Sequence, residues 1–148
     1  MNLPELINAV KLKYAASGIK VGSPATAACI AKAEAKMRLI LPDDFKEFYT
    51  ICNGFDCADD KFSIVRINEL FRDDEYGWDC FIFAERMTYE DVWACRNLND
   101  GHYEIFYNDD GDELVLTRSL TAFLERLLKG HTSGDKGLYA WHKEKKVR

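Results

Sequence analysis

Apolar side chains recur along this chain with two periods, and the change of period divides it. Leu3, Leu6, Ile7, Val10 and Tyr14 fall at helical spacing with Gly18 beyond them, which predicts a helix over 3–16. Ser23-Pro24 offers an N-cap followed by proline at the first helical position, opening a second helix whose buried face is Ile30, Ala33 and Met37. A third helix is predicted from Pro42, with Asp43 and Asp44 in the turn where the helix dipole favours negative charge. Phe45, Phe48, Tyr49 and Cys52 form its apolar stripe. Asn53-Gly54 is its predicted stop, since both residues tolerate the left-handed backbone of a C-cap.

Past residue 60 the pattern becomes extended. Residues 62–67 read as a strand, followed by a short turn or helix over 68–71. The near-continuous apolar run 80–84 predicts a central strand buried on both faces, and 92–95 a further short strand. Segments 103–107 and 114–117 flank Asn108-Asp109-Asp110-Gly111, a β-hairpin signal. Ser119 then caps a closing helix with Leu120, Phe123, Leu124, Leu127 and Leu128 on its apolar face and Gly130 at its end. Helices, then an antiparallel strand run, then a helix predict a single α+β domain, a mostly antiparallel sheet with flanking helices, and not a βαβ wound fold. The domain is placed at 1–130 (core 24–130), with 131–148 as a basic C-terminal tail.

Composition adds limits. The 148 residues suit one domain with a sizeable core, and 47% hydrophobic with 30% charged residues is ordinary globular composition. The formal charge of −5 hides an asymmetry: residues 131–148 carry +3, which leaves −8 for residues 1–130. An acidic body argues against nucleic acid as the main partner, because phosphate binding rests on Lys and Arg. No apolar run reaches the ~18–20 residues of a membrane span, and the N-terminus lacks the pattern of a signal peptide. A cytoplasmic protein is expected, its five cysteines (29, 52, 57, 80, 95) reduced and several of them core residues.

The search for chemistry returns little. His102, His131 and His142 belong to no triad pattern and read as surface residues; no nucleophile elbow or phosphate-binding loop is present. Cys52 and Cys57 lack the partners of a zinc site. Aligning Gly111 with the glycine of a calcium loop puts Phe106 and Thr117 at the first and last ligand positions, so the acidic run there is a turn. No cofactor, metal or catalytic residue is expected. Two acidic clusters remain, Asp56/Asp59/Asp60 and Asp73/Asp74/Glu75. Trp78 follows the second as a candidate binding anchor, while Trp93 reads as core.

Three blocks carry a family resemblance. Ile30 to Glu34 gives I-x-x-x-E, Leu41 to Phe48 gives LP-x-x-[FY]-K-x-[FL], and Asn53-Gly54 supplies the closing NG. Together they resemble the SMI/KNR-type family of the SUKH superfamily. Residues 81–84 look like that family's central strand. Ser119 with Phe123-Leu124 resembles its S-F-x-x-F-L helix, with Leu120 where phenylalanine is usual. The resemblance covers about residues 24–130. It implies an α+β domain and a non-enzymatic binding role with no catalytic residue to carry over. Bacterial members are typically immunity proteins that neutralise toxins, and fungal members regulate cell-wall glucan synthesis. The expectation is therefore an immunity protein, a monomer or weak homodimer, that binds a cognate toxin. Its candidate partner-binding residues are Asp56, Asp59, Asp60, Asp73, Asp74, Glu75 and Trp78. A regulator or scaffold of glucan synthesis is the alternative.

Overall fold

In the computed structural model, the described residues (1–88 and 90–147) form one seven-stranded antiparallel sheet with helices packed on it. Arg148, counted above in the basic segment, lies outside them. The strands β1 (Ile19–Val21), β2 (Phe55–Cys57), β3 (Phe62–Ile64), β4 (Cys80–Arg86), β5 (Asp91–Asn97), β6 (Tyr103–Asp109) and β7 (Asp112–Thr117) lie in chain order across the sheet. Helices α1 (Leu3–Lys13), α2 (Ala27–Met37), α3 (Asp43–Ile51), α4 (Leu120–Gly130) and α5 (Leu138–Lys146) contribute to one core with its inner face. The fold is the expected α+β domain.

Local chemistry sets the helix ends. Asn2 and Glu5 form a reciprocal capping box at α1, Glu5 N–H donating to Asn2 Oδ1 at 2.9 Å. The predicted Ser23-Pro24 cap is corrected: Thr26 caps α2, its Oγ1 accepting from Cys29 N–H at 3.1 Å. Ala25 N–H is already held by Tyr49 O, so the chain is still extended there. At the end of α3, Cys52 is extended (φ −150°), not left-handed. Gly54 instead has φ +75°, and a Cβ there would lie 2.4 Å from Ile64 O, so the NG pair serves close backbone packing. Asn53 Oδ1 accepts from Ile67 N–H at 2.7 Å and starts a 3₁₀ turn over Ile67–Glu69, which is why the strand predicted over 62–67 ends at Ile64.

The central strand is β4, buried as expected. A bulge between Ile82 and Ala84 breaks the alternation, so Phe81, Phe83 and Ala84 all face the inner core while Cys80 and Ile82 face outward. Phe45 meets Phe81 and Phe83 edge-on with centroids 5.1 Å away in each case, and Phe123 meets Phe83 at 5.2 Å. Glu34 of the I-x-x-x-E block accepts from Leu41 N–H at 2.7 Å and pairs with Lys46 at 3.5 Å, binding the end of α2 to the start of α3.

Two features run beyond the sequence reading. Strands β1 and β2 are three residues each, too short for a period to register. Residues 131–148, read as a basic tail, carry α5 packed on the core through Leu138, Tyr139, Trp141 and His142, with Lys143, Lys145 and Lys146 in its last turn.

Candidate functional site

The long connection from β3 to β4 closes back on the outer face of the sheet. Phe71 bridges Ile82, and Phe71 and Tyr76 pack on a second apolar cluster of Cys80, Ile82, Val92, Ala94 and Phe106. Tyr76 stands edge-on to Phe106 at 5.9 Å. Asp73 folds the tip: its Oδ1 accepts from Glu75 N–H at 3.0 Å and its carbonyl from Tyr76 N–H at 2.9 Å. Asn97 N–H holds Asp79 O at 2.9 Å on the far side.

On this pinned loop Trp78 is 75% exposed, its indole covered on one side by the Arg72 guanidinium 4.8 Å from the ring centroid. Arg72 also donates to Trp78 O at 3.3 Å. Asp74, Glu75 and Asp79 are exposed carboxylates on the same loop. The loop thus presents an exposed aromatic side chain and three exposed carboxylates on a fixed turn.

The other acidic cluster lies elsewhere, which corrects the single surface expected from the sequence. Phe62 pairs with Arg86 at one end of β4, while Phe71 bridges Ile82 toward the other. The turn carrying Asp59 and Asp60 and the loop carrying Asp73, Asp74, Glu75 and Trp78 are therefore at opposite ends of the sheet. Asp60 is not a free surface acid either. Its carboxylate, 14% exposed, accepts from Thr132 Oγ1, pairs with His131 and lies 3.4 Å from Arg86 Nε. It ties the β2–β3 turn to the α4–α5 connection. Asp56 accepts from Ser63 Oγ at 2.6 Å on the outer face of the sheet, and Asp59 stays exposed. On that same face burial raises the Glu85 carboxyl, helped by Glu69 and Asp56.

The remaining chemistry-bearing residues resolve into structure. His142, read as a surface residue, is 5% exposed and accepts from Trp93 Nε1–H at 3.0 Å while stacking on Tyr107 at 3.9 Å. Asp91 accepts from both Tyr107 (2.6 Å) and Tyr139 (2.5 Å) nearby. Cys52, Cys57, Cys80 and Cys95 are buried, with burial pushing the Cys52 and Cys80 thiols up to about 11, whereas Cys29 is exposed. The acidic run is the predicted hairpin turn, with Asp110 and Gly111 both at positive φ and Gly111 N–H donating to Asn108 Oδ1 at 3.1 Å. Among the described residues no three His, Cys, Asp or Glu side chains converge as a metal site. None of the helices there is long and apolar enough to cross a membrane.

Residues 24–126 match the model of the SMI1 / KNR4 family (SUKH-1). The chain belongs to that family. The chain matches no curated protein sequence. The SMI1 / KNR4 match takes in the Glu34–Leu41 clasp, the Gly54 contact, the bulged central strand and the Trp78 loop, and ends inside α4. Helix α5 follows it. Sequence reasoning placed Trp78 in this site but missed Arg72 and Asp79. The signal for Arg72 was weak: a guanidinium six positions before an exposed tryptophan across a turn-forming Asp73.

Proposed function

We propose that this SMI1 / KNR4 family member acts by binding and not by catalysis, as an immunity protein that neutralises a cognate toxin. Its partner is a basic protein surface, and the Trp78 loop is the contact. The single observation that carries this reading is Trp78, an exposed indole covered on one side by Arg72, on a loop that also exposes Asp74, Glu75 and Asp79. The excess of acid in the chain favours fast encounter with a cationic partner. Asp56 and Asp59 stay outside this contact, and Asp60 belongs to the fold.

The test is protection of growing cells. The chain is co-expressed with the toxin encoded beside it in its native genome, and survival is scored for wild type, Trp78→Ala and Asp74→Lys/Glu75→Lys. Protection by wild type, with affinity lowered about 30-fold in Trp78→Ala as for a hot-spot residue of ~2 kcal/mol, is the expected result. Equal protection by all three sinks the assignment of the loop. No protection and no complex by any of them sinks the immunity reading in favour of a regulatory scaffold of glucan synthesis.

A further inference from the structure

Although the chain is acidic overall, one groove is lined with cations. Helix α2 and the 3₁₀ turn Ile67–Glu69 stand side by side and enclose about 510 Å³. Its floor is apolar, made by the buried Ala33, Ile67 and Leu70. Its far wall is fixed by the Asn53 side chain, which holds Ile67 N–H at 2.7 Å. Lys32 and Lys36, one helical turn apart, and Arg66 across from them stand exposed on the rim. None of the three forms an ion pair among the described residues, whereas Lys46, further along, pairs with Glu34. Against them the lining sets one carboxylate, Glu69.

We propose that this groove docks an acidic, leucine-bearing segment of a partner polypeptide. Lys32 and Lys36 follow one another along α2 with Arg66 on the opposite lining, an arrangement that suits a line of carboxylates. The apolar floor between them takes the segment's hydrophobic side chains. The net negative charge of residues 1–130 disfavours such a segment over most of the body and favours this groove. The groove shares no residue with the Trp78 loop, so the two surfaces accept partners of opposite charge independently.

The structure also supplies a reporter. Cys29 lines the groove and is the exposed thiol among the five cysteines. The experiment uses the full chain and a fluorescein-labelled peptide of repeating Glu-Glu-Leu, read by fluorescence anisotropy. Expected are saturable binding that weakens with added salt, and slower reaction of Cys29 with a thiol reagent when peptide is bound. Lys32→Glu/Lys36→Glu weakens binding on the order of tenfold, the combined effect of reversing two exposed charges. Lys143→Glu/Lys145→Glu on α5, of equal charge change, leaves it within about twofold. Should the α2 reversal lower the melting temperature, Lys32→Ala/Lys36→Ala decides, with a smaller loss in the same direction. Three outcomes overturn the proposal: no saturable binding, equal weakening by the α5 variant, or displacement of the peptide by single-stranded DNA at equal charge concentration. Trp78→Ala leaves peptide binding unchanged, so failure of toxin neutralisation and failure of this groove are read separately.

Discussion

Protonating His142 should undock α5 and cost the fold several kcal/mol. Trp93 Nε1 can only donate, so His142 Nε2 must accept at 3.0 Å, and an imidazolium has no acceptor. Burial holds the ring down at about 4 from 6.5, with Lys146 adding to the effect and Asp91 and Asp109 opposing it. The unfolded chain takes up this proton near 6.5 and the native chain only near 4. The unfolded state therefore binds more protons across that window, and stability falls as pH drops through it. Each tenfold difference in proton affinity between the two states is worth ~1.36 kcal/mol, so the loss by the bottom of the window is about 3 kcal/mol, a large part of the ~5–15 kcal/mol of a typical domain. The assay is urea unfolding of wild type and His142→Gln from neutral to mildly acidic pH. Glutamine can still accept from Trp93 but does not titrate, so carboxylate contributions common to both proteins cancel in the difference. Wild type should lose about 3 kcal/mol relative to the variant as pH falls through that window. Parallel pH profiles, or an NMR titration placing His142 near 6.5, would refute the argument.

Two further predictions separate structural from surface residues. Gly54→Ala should destabilise by roughly 2 kcal/mol or more, since its φ of +75° is strained for alanine and the Cβ would meet Ile64 O at 2.4 Å; thermal melts against wild type check this. Asp60→Ala should cost about 1.5–3 kcal/mol by chemical denaturation, because it strips the carboxylate from Thr132, His131 and Arg86, while Asp74→Asn should stay within ~0.5 kcal/mol. A neutral Asp60→Ala would mean that the α4–α5 connection does not lean on the β2–β3 turn.

Periodicity made the long elements legible. α1, α3, α4 and the strands β4 to β7 follow from runs of apolar residues long enough to define a face, and Asp110-Gly111 from the turn chemistry its positive φ values demand. What stayed hidden was set by tertiary contact. β1 and β2 exist because the backbone around Gly22 and Gly54 pairs closely, Gly22 N–H donating to Gly54 O at 2.9 Å, and three residues carry no period of their own. α5 was masked by its lysines: counted as charge they suggest a solvated tail, yet Leu138 and His142 bury, and Lys146 pairs with Asp109 of the β6–β7 hairpin. The Thr26 cap was missed because Ser23-Pro24 fits the same rule three residues earlier, and only the bond from Ala25 to Tyr49 distinguishes them. For the candidate site, Trp78 and its acidic neighbours could be read from composition. The placement of Asp60 could not, because its partners lie on α4–α5 residues 71 and 72 positions away in sequence, as His131 and Thr132 show.

Net charge therefore overstates the acid that a partner can meet. A carboxylate that accepts from internal donors has exchanged its water for protein and cannot present the same potential outward without breaking those bonds. Asp60 is spent this way, and Asp91 is held between two tyrosine hydroxyls. Asp74, Glu75 and Asp79 remain exposed, on a loop that Phe71 and Tyr76 fasten to the outer face of the sheet. That fastening matters as much as the charge. Ordering a mobile loop costs ~0.5–1.5 kcal/mol for each side chain immobilised on binding, and a turn already closed by Asp73 avoids much of it. Arg72 works in the same direction: by covering one side of the Trp78 indole it leaves the other presented, on the loop that exposes the acid. The outer-face cluster of Cys80, Ile82, Val92, Ala94 and Phe106 thus serves the proposed contact as its foundation, and loosening it through Phe71→Ala should weaken partner binding without touching a single residue of the contact itself.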